Sequence, residues 1–201
     1  MNLTEILLAL ALSLPTPWYK PGKNPETTLE YRERMQTIAT AIALEAQANE
    51  DWQWDPTSLA AATFVTWYSE SKFALEVHNG SGQSRFGEDD GQARCLGQLH
   101  QTGWVPRSDW KQLTGIDLEA TRRCARATMK VLALQGKRCK MKHKPNLWAV
   151  ARLEAAYGHG LSCAPTKAST SRARRWAKLM DRIETMSNEK EAALSPEPPK
   201  N

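Results

Sequence analysis

Apolar positions along this chain recur at helical intervals and nowhere alternate for long, so a mostly α fold is expected. The run Ile6-Leu7-Leu8-Ala9-Leu10-Ala11-Leu12 predicts a short apolar helix. Pro15, Pro17, Pro21, Gly22 and Pro25 then predict a turn-rich linker, so that residues 1–25 read as a helix and a Pro-rich connection. A helix over about Thr28–Ala48 follows, with Leu29, Ile38, Ile42 and Leu44 supplying much of its apolar stripe. Asp55-Pro56 is a strong start signal, an N-cap followed by a proline whose missing N–H costs nothing in the first turn. The helix it opens carries the apolar run Leu59–Tyr68 and ends in Ser69-Glu70-Ser71.

Gly80, Gly82, Gly87 and Gly91, with few apolar neighbours, predict a long irregular loop from about Val77 to Gly91, a kind of segment that is usually functional or mobile. Asp117 opens a helix over Leu118–Gln135 that Gly136 is expected to stop, with Ala125, Met129 and Leu132 in the core. Another is expected from Asn146 to Tyr157, stopped by Gly158, and a basic one over about Thr170–Ser187. Residues 188–201, ending in Ser195-Pro196-Glu197-Pro198-Pro199-Lys200-Asn201, read as a disordered tail. One domain over 26–187 results, with its distinctive residues between 55 and 163.

At 201 residues the chain is long enough to bury a substantial core. Its formal charge of +5 favours anionic partners, bacterial cell wall and nucleic acid among them. The clusters Arg122-Arg123, Lys137-Arg138-Lys140-Lys142-Lys144 and Arg172-Arg174-Arg175 serve either, or are solvated helix faces. No recognised nucleic-acid module and no Gly-Lys-Ser/Thr phosphate cradle is present, so no nucleic-acid partner is expected. The first apolar run is too short to span a bilayer and has no basic flank or clear cleavage site. It is expected to pack on the domain or on a partner, with no transmembrane segment and no cleaved signal peptide.

Cys95, Cys124, Cys139 and Cys163 allow three fully paired connectivities. The favoured one pairs Cys139 with Cys163, bracketing the helix that ends at Tyr157, and Cys95 with Cys124. Disulfides would imply an oxidising or extracellular destination; reduced buried thiols are the competing reading. His100, His143 and His159 show no paired spacing and no Cys-x-x-Cys accompanies them, so no metal and no other cofactor is expected.

The residue of greatest chemical interest is Glu70. A carboxyl at the rim of an apolar helix sits beside low-dielectric packing, which disfavours its charged form. A carboxylic acid that keeps its proton near neutral pH suits donation to the leaving oxygen of a glycosidic bond.

Glu70-Ser71-Lys72-Phe73, then Ala93-x-Cys95-Leu96-Gly97-Gln98-Leu99, then Ala155-Ala156-Tyr157-Gly158-His159-Gly160 resemble, in order and interval, the motifs of the soluble-lysozyme-like lytic transglycosylases. Those enzymes carry Glu-Ser, an Ala-x-Gly-Leu-Met-Gln-like motif and an Ala-x-Tyr-Asn-x-Gly-like motif. The likeness spans roughly Leu59–Gly160, and Cys95 resembles a Cys-containing branch found in bacterial and phage proteins. Three positions depart from the pattern: Cys95 stands for Gly, Gly97 for Met and Gly158 for Asn.

The resemblance implies a lysozyme-like helical domain that cleaves the β-1,4 bond between N-acetylmuramic acid and N-acetylglucosamine in peptidoglycan. It makes Glu70 the single acid and base, and Ser71, Gln98 and Tyr157 the residues that shape the site and hold the sugar. The product would carry a 1,6-anhydromuramic end. A hydrolase on the same scaffold, as in goose-type lysozymes, would need a second carboxylate, and Glu88, Asp89 and Asp90 are in the right region. A non-catalytic wall-binding or virion protein is the rival from another class. Wall chemistry, cysteine pairs and the missing export signal together suggest action in the periplasm or wall by a phage-encoded or virion-borne protein, whose first helix would meet other virion proteins.

Overall fold

The computed structural model describes residues 2–15, 25–50, 52–80, 93–101, 105–141, 145–159 and 162–194. In chain order the elements are α1 (Leu3–Ser13), α2 (Thr28–Gln47), α3 (Pro56–Ser71), the short α4 (Leu75–His78), β1 (Ala93–Arg94), β2 (Leu99–His100), the short α5 (Arg107–Lys111), α6 (Leu118–Arg138), α7 (Leu147–His159) and α8 (Lys167–Leu194). The mostly α expectation holds. The one departure is a small antiparallel hairpin that pairs Ala93 with His100 and Arg94 with Leu99.

α3 is the central element, and its sequence explains why. Asp55 accepts at Oδ1 from the Ser58 N–H at 2.9 Å and at Oδ2 from the Ser58 hydroxyl at 2.6 Å, and Pro56 fills the first turn. Every residue from Ser58 to Trp67 is buried, as a helix that is apolar on all sides must be. α2, α6 and α8 pack around it. Leu59, Phe64 and Trp67 are each worth roughly 1.5–3 kcal/mol on burial.

α1 is not a separate segment: Ile6, Leu7, Leu10 and Ala11 are buried in the same core, against α2. The linker expected after it lies largely outside the described residues, as does the loop over 81–92. On α2, Ile38 and Ile42 are fully buried, but Leu29 and Leu44 are exposed. Met35, Ala39 and Ala46 complete the buried stripe in their place, because the stripe follows 35, 38, 39, 42 and 46 at helical spacing.

Neither of the expected glycine stops ends its helix. α6 runs through Gly136 to Arg138, and Gly136 instead lies against the Trp52 ring, where a Cβ would come within 3.6 Å of Cζ3. α7 runs through Gly158, and α8 continues to Leu194, so residues 188–194 are helical rather than part of a tail. Ala125, Met129 and Leu132 are fully buried on α6, as expected.

Both disulfides join the expected partners. Cys95–Cys124 ties the hairpin to α6, and Cys139–Cys163 ties the end of α6 to the segment between α7 and α8. Each constrains the unfolded chain by about 2–4 kcal/mol.

Candidate active site

α3 ends in a sharp reversal immediately after Glu70 and Ser71. Lys72 and Phe73 both adopt left-handed backbone, φ 54° and 55°. Cys95 and Gln98, which flank the turn of the hairpin, do the same at 54° and 50°. Non-glycine residues in this region cost about 1–2 kcal/mol apiece. Four such residues fall in the two chain segments that carry the motifs, a clustering typical of functional sites.

The turn explains two of the sequence departures. Cys95 occupies a left-handed position that would suit glycine, and its bridge to Cys124 holds it there. Gly97 is wedged onto buried side chains: an added Cβ would sit 2.5 Å from Thr128 Oγ1 and 2.9 Å from Tyr157 Oη. Thr128 also accepts the Trp67 indole N–H at 3.0 Å, so α3, α6, α7 and the hairpin turn meet at this point.

Ser71, Gln98 and Tyr157 all lie among the described residues. The Tyr157 hydroxyl donates to the Gly97 carbonyl at 2.6 Å. Burial, then the nearby charges of Glu70 and Glu154, push that phenol well above its usual range, so it stays a donor. The Gln98 amide donates back to the Cys95 carbonyl at 3.1 Å and so closes its own turn. Ser71 is buried; its hydroxyl donates to the Trp67 carbonyl at 2.7 Å and accepts the Phe73 N–H at 3.2 Å. All three side chains hydrogen-bond to backbone. Glu88, Asp89 and Asp90 lie outside the described residues.

Glu70 does not face an apolar wall, as its place in the sequence suggested. Its Oε1 accepts from Arg172 Nη1 at 2.5 Å, and both side chains are about one-fifth exposed. The same Nη1 reaches Glu154 Oε2 at 3.4 Å. Glu154 comes from α7, has a fully buried side chain, and is pushed up to about 7, chiefly by burial. Burial pulls the Arg172 guanidinium down, but the carboxylates of Glu70 and Glu154 outweigh it and the net effect is a rise. Lys72 is lowered by burial and by the charges of Arg175 and Arg172.

Glu154 has a second partner whose hydrogen count is informative. Thr66 Oγ1 lies 2.8 Å from Glu154 Oε1 and 2.9 Å from the Ala62 carbonyl. One hydroxyl carries one hydrogen. Thr66 either splits that hydrogen between the two acceptors or, with Glu154 protonated, accepts from it and donates to Ala62.

Neither Glu154 nor Arg172 emerged from the sequence as part of a site. The available signal was a lone acid inside the buried run Val150–Ala156, where only Arg152 is otherwise charged. Cavities of about 280 Å³, beside Arg123, Arg126 and Lys130, and about 180 Å³, between Leu10, Phe64 and Arg175, lie elsewhere and are not lined by Glu70. Among the described residues no group of His, Cys, Asp and Glu is arranged to hold a metal ion, and no helix is long and apolar enough to cross a membrane. Comparison with protein-family models, characterised proteins and solved structures finds no match.

Proposed function

We propose that the chain is a lysozyme-like glycosidase that cleaves peptidoglycan as a lytic transglycosylase, with Glu70 as its acid and base. The observation that carries this reading is convergence. Trp67, one turn before Glu70, the Cys95–Gln98 turn and Tyr157 are far apart in sequence yet meet around Gly97. In this mechanism protonated Glu70 donates to the glycosidic oxygen, and the sugar ring develops oxocarbenium character. The muramic 6-hydroxyl then attacks the anomeric carbon while the Glu70 carboxylate removes its proton, giving a 1,6-anhydro product. No second carboxylate takes part in either step.

The disulfides fit action in an oxidising, extracytoplasmic setting, and the net charge of +5 fits an anionic wall. One observation favours a second reading, a non-catalytic wall-binding protein on the same scaffold: Arg172 holds Glu70 in an ion pair, whereas an acid needs its proton.

Mass spectrometry of muropeptides released from purified peptidoglycan separates the readings. Wild type is expected to release anhydromuropeptides, and Glu70→Gln to be slower by at least ~10²–10⁴-fold. Reducing muramic ends would make it a hydrolase and turn attention to Asp89 and Asp90. Intact wall bound by both proteins and cut by neither would leave the binding role.

A further inference from the structure

We infer that Glu154 is a positioning residue for the acid: it receives Arg172 when Glu70 takes up a proton. This rests on the reading of Glu70 as the acid. The geometry is that of one guanidinium nitrogen between two carboxyls, 2.5 Å from Glu70 Oε1 and 3.4 Å from Glu154 Oε2. Two arrangements satisfy it. In the first, Glu154 keeps the proton, Thr66 relays its own hydrogen to the Ala62 carbonyl, and Arg172 pairs with the Glu70 carboxylate. In the second, Glu154 is the carboxylate that pairs with Arg172, Thr66 donates to it, and Glu70 carries the proton.

The exchange balances. One proton leaves a Glu154 oxygen and one arrives on the Glu70 oxygen that Arg172 vacates; the cluster keeps one cation, one carboxylate and one carboxylic acid throughout. No net charge is created in a partly buried site, which keeps the exchange inexpensive. Without Glu154, Arg172 would have no second charge to pair with, and protonating Glu70 would strand a guanidinium that is 18% exposed. What makes Glu70 an available acid is a place for its counter-ion to go.

The groups that face Glu154 are few. From α3 come Thr66 and Glu70, from α8 Arg172, and from α7 Tyr157, whose hydroxyl is committed to Gly97. Burial raises Glu154 to about 7, so Glu154 is the carboxyl of the cluster that keeps a proton toward neutrality. Lys72 and Arg175 bear on the edge of the cluster through their charges on one another and Arg172's on Lys72.

The test is the isosteric Glu154→Gln, which accepts hydrogen bonds but cannot take a charge. In peptidoglycan digestion, the alkaline limb of the wild-type pH–kcat profile is expected near 7, and the variant's at least one pH unit lower. At pH 7 kcat is expected to fall tenfold or more with KM unchanged. A limb that stays in place, with or without a lower kcat, would reduce Glu154 to a structural residue and overturn the inference. Carboxyl ¹³C titration of the wild type provides a readout that needs neither turnover nor a folded variant. The Glu154 carbon is expected to inflect near 7, and a Glu154 carboxyl already ionised well below that overturns the inference. If the wild type cuts no wall, the functional reading fails, while the titration still decides whether Glu154 holds a proton beside Arg172.

Discussion

Besides the buried Glu26–Arg34 pair, the described residues form two knots of carboxylate and guanidinium around a buried glutamate, and these are built with opposite stoichiometry. On the α2–α6 face a single carboxylate, Glu45, is held by two arginines. Its Oε1 accepts from Arg122 Nε at 2.7 Å and Arg126 Nη2 at 3.0 Å, and its Oε2 from Arg126 Nε at 2.8 Å. At the candidate site two carboxylates, Glu70 and Glu154, are held by one arginine. The first knot has cation to spare, and its arginines reach solvent; Arg126 is raised, first by its hydrogen bonds to Glu45. The second is one cation short, and the shortfall must be made up by a proton. A buried carboxyl is thus structural or poised according to the number of guanidinium groups that serve it.

Removing the single arginine should break this contrast most sharply. Arg172→Met leaves Glu70 and the buried Glu154 side by side with no cation between them. A loss of about 3–5 kcal/mol is expected at pH 8, above the Glu154 value of about 7. At pH 5, where Glu154 already holds a proton, the loss should be less than half of that. Urea denaturation at the two pH values measures it, and equal losses would show that Glu154 is not the short-served group.

Glu154→Gln should have the next largest effect, visible as a slope. The folded group is raised from 4.5 to about 7, so the native chain keeps a proton that the unfolded chain has released. Its contribution is complete below pH 4.5 and is lost as pH rises through 7, on the order of 3 kcal/mol. His78 works the other way: burial lowers it to about 3, so stability is lost as pH falls from 6.5 toward 3. Because His78 is common to both proteins, the difference in Tm between wild type and Glu154→Gln isolates the Glu154 slope. A constant difference from pH 4.5 to 7 would refute it.

The smallest effect is expected in the other knot. Glu45→Gln should cost about 1–2 kcal/mol, because water can serve the partly exposed arginines it leaves behind. That cost should not change between pH 5 and 8. A cost that grows with pH, measured by the same denaturation series, would erase the distinction between the two knots.

Local signals in the sequence carried a good deal of this structure. Asp55-Pro56 marks the start of α3, Ala125, Met129 and Leu132 mark the buried face of α6, and the cysteine pairs follow from the elements they bracket. What could not be read were features made by distant partners. Gly136 and Gly158 look like helix stops, yet α6 and α7 continue past them by two residues and one. Arg172 looks like one member of a solvated basic cluster, because nothing near it in sequence indicates that it points at α3 and α7. Glu70 meets a guanidinium rather than the apolar wall its helix suggests, since a residue on one helix does not disclose the charge brought to it by another.

The Glu70–Arg172 pair closes a span of 102 residues, and Arg182 on the same α8 donates to Ser13 at the end of α1 across 169. Contacts of such separation form late in folding, since each must first overcome the loop entropy between its partners. A chain still emerging from the ribosome would therefore hold Glu70 without its counter-ion and α1 without its final neighbour. The Glu70–Arg172–Glu154 cluster is complete only when α8 docks, so the ends of the chain must come together before these charges meet.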